Sequence, residues 1–210
     1  MTAKENTSDA QSDAKKTRHE ERMKQRKEIV DGMVAKATIE RGIVIVLTGD
    51  GKGKSSSAFG TAVRCLGHGF KVGIVQFIKG SWDCGERTIL ENLPGCEFHV
   101  MGTGFTWDTQ DSDKDREAAE KAWSESEHLF KDPEIKLIVL DELTYMLNYK
   151  YLDKQKVIEA IENRPKDQNI IITGRGAKKY LTDIADTVSE VKAVKHAFNN
   201  GIKAQKGIEW

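Results

Sequence analysis

The chain has 210 residues, enough for one domain with a sizeable core plus an extension. Its 33 Lys and Arg balance 33 Asp and Glu, so no global field favours nucleic acid or a membrane surface. No apolar run is long enough to span a bilayer and none follows Met1, and the 3 cysteines (Cys65, Cys84, Cys96) lack Cys-x-x-Cys or metal spacing. The expectation is a cytoplasmic protein with free thiols.

Residues 1–13 are polar, lack a core-forming pattern and are expected to be a disordered tail. Residues 14–40 form a helical extension in this reading, dense in Lys, Arg and Glu up to Glu28. Ile29, Val30, Met33, Val34 and Ala37 then recur at helical spacing, which predicts docking through the C-terminal half. The basic stretch Lys15 to Lys27 is interspersed with glutamates, which favours a solvated face over a nucleic-acid contact.

From Arg41 onward strands and helices alternate. The apolar run 43–47 predicts a strand and 54–67 a helix closing at Gly67 and Gly69. Between them lies Gly49-Asp50-Gly51-Lys52-Gly53-Lys54-Ser55-Ser56. A strand, a glycine loop, Lys-Ser and a helix are the layout of a phosphate-binding P-loop. Glycines let backbone N–H groups turn inward around an anion, Lys54 can reach the terminal phosphates, and the Ser55 hydroxyl can ligate the magnesium of a nucleotide. The usual spacing is G-x-x-x-x-G-K-[ST]. Here position 48 is Thr, Gly49 leaves 3 residues before Gly53, and Lys52 is an extra cation. Gly49, Gly51, Lys52, Gly53, Lys54, Ser55 and Ser56 are the candidate ATP-binding residues of this loop. Arg64 on the following helix is added to them, although it and His68 can also be read as a solvated helix end.

Strand 71–76 leads into the loop from Phe77 to Gly85, and a weaker strand covers 97–101. Loop 102–109 carries Phe105 and Trp107 between glycines and polar residues; such aromatics either form a binding platform or fold back into the core. A helix over 113–130 stops before Pro133. Strand 136–140 ends in Asp141 and Glu142, where a P-loop protein needs an acid to hold Mg²⁺. The second carboxylate, Glu142, also invites an ATPase reading in which it orients an attacking water. A helix over 153–163, a strand over 169–173, a short helix over 176–184 and a strand near 187–193 complete the pattern. Arg175 follows a strand end and would face the same rim as the phosphates, where a guanidinium suits bidentate contacts. The expected fold is α/β: a mostly parallel sheet with helices on both faces, P-loop NTPase-like, over 41–210, with ligands at the carboxyl ends of the strands.

Several motifs together resemble one family. Gly49 to Gly60 (GDGKGKSSSAFG), Gly104 to Trp107 (GFTW), Leu140 to Tyr145 (LDELTY), Thr173 to Arg175 (TGR) and Val194 to Trp210 (VKHAFNNGIKAQKGIEW) are similar to the P-loop class of ATP:cob(I)alamin adenosyltransferases. The resemblance covers about 15–210, and that family shares the shortened loop. Ser55 and Ser56 stand where its members often have Thr, and the hydroxyl is kept. The resemblance implies that a corrinoid Co(I) attacks C5′ of ATP and that the whole triphosphate departs. It implies that ATP binds reversed relative to ordinary P-loop enzymes, with Mg²⁺ (or Mn²⁺) at Ser55, Asp141 and Glu142. It makes Phe105 and Trp107 the aromatics that close the lower face of the corrin ring, and Lys54, Glu142, Phe105 and Trp107 the catalytic set. It further implies a flavoprotein electron donor and a homodimer whose N-terminal helix caps a site. Against this stand a P-loop ATPase switch or RecA-like motor, which would usually show a basic face, and a non-catalytic carrier. A GTPase is disfavoured by the lack of an Asn-Lys-x-Asp motif.

Overall fold

β-branched runs become strands wherever helices can cover both of their faces. The computed structural model describes residues 5–78, 84–101 and 112–209. These fall into two units, Met1–Glu40 and Arg41–Trp210. The first is one helix, α1 (Glu5–Lys36). In the second the order is β1 (Val44–Thr48), α2 (Lys54–Gly67), β2 (Lys71–Gln76), α3 (Gly85–Leu90) and β3 (Cys96–Val100). Then come α4 (Ser112–Ser126), a 3-10 turn (Glu127–Phe130), β4 (Ile135–Asp141), α5 (Leu143–Asn148) and α6 (Lys154–Glu162). The chain continues through β5 (Asn169–Thr173), α7 (Lys179–Asp183), β6 (Thr187–Glu190) and a second 3-10 turn (Ala197–Asn200).

The 6 strands form one sheet in the order β3-β2-β4-β5-β1-β6. All its pairings are parallel, so the carboxyl ends lie along one rim. Alternate residues of each strand serve opposite faces. Val44, Val46, Ile138, Leu140, Ile170 and Ile172 pack with Trp123, Met146, Val157 and Ile161 of α4, α5 and α6. Leu47, Leu137, Val139 and Ile171 pack with Ala58, Phe59 and Ala62 of α2 and Leu90 of α3. Burial on both faces explains why β4 reads as an unbroken apolar run.

Departures from the sequence reading have local causes. The Ser126 hydroxyl donates to the Trp123 carbonyl oxygen (2.8 Å), and the expected long helix tightens into a 3-10 turn there. The last strand stops at Glu190 because Val191 turns to bond the loop after β1. Helices α3 and α5, each 6 residues, are too short to show a periodic signal. Helix α1 starts at Glu5, inside the stretch expected to lack structure. Its residues Ile29, Val30, Met33 and Val34, expected to dock, are exposed in the single chain.

The edge strand β6 is tied in by Asp186. Its carboxylate accepts from the Val44 N–H (2.9 Å) and from the Arg41 guanidinium. The Arg41 hydrogen bond holds its pKa down at about 2. A depressed carboxylate contributes stability that is present above its unfolded value and is lost as pH falls through the folded value. Both side chains are partly exposed, so solvent screening limits the contribution to about 1 kcal/mol. Asp186→Asn should therefore lower stability by about 1 kcal/mol at pH 7 in urea unfolding. That difference should shrink as pH falls from 4 toward 2; a difference independent of pH would contradict the ion-pair account.

Candidate functional site

The loop after β1 is shaped by its own backbone. Gly49 and Gly53 take φ of 99° and 111°, and Gly53 is the left-handed cap from which α2 starts. The loop leans on the chain leaving β6: the Gly51 N–H donates to the Val191 carbonyl (2.7 Å), and the Val191 N–H to the Thr48 carbonyl (2.8 Å). A Cβ on Gly51 would lie 2.7 Å from the Lys192 carbonyl carbon, so a side chain at that position cannot coexist with this contact. Lys54, 7% exposed, curls back and donates from Nζ to the Gly51 carbonyl (2.7 Å). Burial lowers its pKa, against the pull of the carboxylates of Glu142, Asp50 and Asp141. A buried cation thus lies under a glycine loop at a helix N-terminus, which is an anion-binding arrangement.

The carboxylates come from the neighbouring strand ends. Gln76 of β2 is in register with Asp141 of β4. Thr173 ends the adjacent β5. Asp141 is 2% exposed. It accepts from Thr173 Oγ1 (2.7 Å), from Gln76 Nε2 (3.2 Å) and from the Ser55 hydroxyl. Burial raises its pKa, and these three hydrogen bonds oppose the rise. Glu142 has a left-handed backbone, φ 59°, and its N–H donates to Thr173 Oγ1 (2.9 Å). Its Oε2 is buried with no hydrogen-bond partner among the described residues. Burial first, and the Asp141 charge second, push its pKa up to about 7, while Lys54 and Arg175 work the other way. At neutral pH this carboxyl is shared between its protonated and ionised forms.

The donor set Ser55, Asp141 and Glu142 is all oxygen, and one of those oxygens is buried and unsatisfied. Such a set fits a hard divalent cation such as Mg²⁺ or Mn²⁺. Of the residues picked out by sequence, Lys54, Ser55, Asp141 and Glu142 are brought together, and the charge of Arg175 acts on both Lys54 and Glu142. Lys52 is present but forms an ion pair with Glu209 of the C-terminal tail. Ser56 is exposed on α2. Arg64 is not brought to the loop within the chain. It lies in the last turn of α2, about 15 Å along the axis from Lys54, and lines a groove with Ile43, His68 and Lys136 near the strand starts. The helical rise carries it away from the rim. Phe105 and Trp107 lie outside the described residues.

Sequence reasoning missed Gln76, which only strand register brings to Asp141, and Thr144, whose Oγ1 donates to the Arg175 carbonyl (2.8 Å) and fixes that turn. It also missed Glu209 as the partner of Lys52, since a contact across 157 positions leaves no spacing signal.

Residues 40–210 match the family model described as ATP:corrinoid adenosyltransferase BtuR/CobO/CobP. The chain is 52% identical over 193 residues to the corrinoid adenosyltransferase of Escherichia coli K12, covering 92% of this chain and 98% of that one. It is 52% identical over 193 residues to the corrinoid adenosyltransferase CobA of Salmonella typhimurium, with the same coverage of 92% and 98%. It is 50% identical over 201 residues to the corrinoid adenosyltransferase of Pseudomonas aeruginosa, covering 95% and 99%.

Proposed function

The chain belongs to the ATP:corrinoid adenosyltransferase family, and from that premise we propose that residues 49–55 hold the triphosphate of ATP while its C5′ faces the cobalt of a reduced corrinoid. The enzyme transfers the 5′-deoxyadenosyl group of ATP to Co(I). A Co–C bond forms, the C5′–O5′ bond breaks, and its electron pair leaves with the triphosphate. Co(I) has no proton to lose, so no general base is required. The chemical demand on the protein is to hold and stabilise a polyanionic leaving group.

The observation that supports this assignment is the buried Lys54 beneath the glycine loop, facing Asp141 and Glu142. Lys54 and the N-terminal N–H groups of α2 take the phosphates, and Arg175 adds charge from the rim. Lys52 joins by exchanging Glu209 for phosphate. Ser55, Asp141 and Glu142 would hold Mg²⁺ or Mn²⁺, which neutralises phosphate charge when bound. Phe105 and Trp107 are assigned, by the family resemblance, to the lower face of the corrin. An apolar wall there withholds an axial ligand and stabilises the reduced metal, within reach of a flavoprotein donor. A homodimer and a cytoplasmic location belong to the same reading. Among the described residues no helix is long and apolar enough to cross a membrane.

Hydrolysis directed by Glu142 would break the γ-phosphate link and give ADP and phosphate. Transfer from C5′ leaves inorganic triphosphate. Phosphorus NMR of anaerobic mixtures with MgATP and cob(I)alamin should show triphosphate one-for-one with adenosylated corrinoid, and none without corrinoid. Steady ADP production that ignores the corrinoid would overturn the assignment. In the same assay, starting from cob(II)alamin and a reductant, Phe105→Ala and Trp107→Ala should bind ATP normally but form less four-coordinate Co(II). Wild-type spectra and turnover in both variants would remove the aromatics from the mechanism.

A further inference from the structure

At the edge of the sheet farthest from β6, three side chains unrelated to the ATP site converge. Glu97 and His99 are two positions apart on β3 and so share one face of the strand. His128 comes from the 3-10 turn that follows α4. His99 Nε2 and His128 Nε2 each lie 2.6 Å from the same oxygen, Glu97 Oε1. The two rings meet edge to face with centroids 5.8 Å apart.

The second nitrogen of His128 sharpens the point. Its Nδ1 is 2.9 Å from the Glu125 carbonyl oxygen. A carbonyl only accepts, so Nδ1 carries the proton and Nε2 of the neutral ring presents a lone pair to the carboxylate. Lone pair against anion at that distance requires positive charge between them, either ring protons or a cation. A histidine oriented through Nδ1 by a backbone carbonyl is the usual outer support of a metal ligand.

We propose that Glu97, His99 and His128 form a binding site for a divalent transition metal of the zinc class, which clamps the edge strand β3 to the turn after α4. Two imidazoles and a carboxylate suit Zn²⁺, Ni²⁺ or Cu²⁺ rather than Mg²⁺. Tetrahedral Zn²⁺ needs ligand atoms about 3.3 Å apart, so the trio opens slightly. Glu97 and His128 are exposed, which gives them that freedom and leaves the remaining coordination positions to water. The neighbouring Cys96 is no ligand. It packs with the core on the other face, and burial pushes its thiol up to about 11, so the thiolate is scarce.

The test is a Zn²⁺ titration of the full chain against a chromogenic competitor, paired with thermal unfolding. One Zn²⁺ per chain should bind at this site, unaffected by excess Mg²⁺, and should raise Tm. His99→Ala and His128→Ala should each weaken binding at least about tenfold. The double variant should lose both the binding and the Tm rise, and His128→Gln should behave like His128→Ala. His68→Ala, after α2 on the other face of the sheet from the turn that carries His128, should bind as wild type. Undiminished Zn²⁺ binding in the double variant, or loss with His68→Ala instead, would overturn the site.

Discussion

Lys54→Ala is expected to lower the rate of adenosylation by about 10²–10³-fold, the range seen when one preorganised donor to a developing anion is removed. Lys54 is the cation that the fold buries at the centre of the loop, held by the Gly51 carbonyl. Without it the phosphates meet Asp141 and Glu142 with no buried cation between them. MgATP affinity should fall with the rate, because the contact exists in the ground state as well. Lys54→Arg is not expected to rescue, since a planar fork cannot take the place of a point charge folded back onto one carbonyl. Calorimetry with MgATP and single-turnover kinetics with cob(I)alamin check both statements, with circular dichroism as a control for folding. Unchanged MgATP affinity in Lys54→Ala would mean that the loop does not hold the phosphates.

Gly174→Ala should be as damaging from a different cause. Gly174 has φ of 133°, a backbone conformation that L side chains rarely adopt. A Cβ there would stand 2.0 Å from Thr144 Oγ1 and 3.1 Å from Glu142 Oε2. Strain and overpacking together should cost about 3 kcal/mol of stability. The displaced threonine would lose its hydrogen bond to the Arg175 carbonyl, so Arg175 and Glu142 would move together. Equilibrium unfolding should register the loss, and activity at a temperature where the variant remains folded should still be low. A variant of wild-type stability would show that Thr144 has room to move.

Much of this architecture was legible because the periodic signals are strong. The runs in β1, β4 and β5 are continuous and apolar, and the glycine loop sits directly between a strand and a helix. Parallel pairing then brings Asp141 and Thr173 to the loop without further information, because their carboxyl ends must share a rim. What was not legible depended on register and long-range pairing. Gln76 looks like an ordinary strand end until β2 is placed beside β4. Arg64 looks like a member of the phosphate site until the helical rise is counted. Glu209 and the two histidines at the β3 edge act through contacts between distant positions, for which local pattern has no signature. The apolar stripe of α1 had a clear period but no visible partner, and it stays exposed in the single chain.

The bracing of the glycine loop by Val191 bears on how fast ATP is captured. A loop pinned through Gly51 and Thr48 before any anion arrives has little conformational freedom left to lose. Encounter then need not wait for the loop to close. What is left to rearrange near the rim is Lys52, which would leave Glu209 in a surface exchange between one carboxylate and another anion that costs about 1 kcal/mol or less. The rearrangement that an arriving anion demands would thus fall on the C-terminal segment that carries Glu209, and not on the loop.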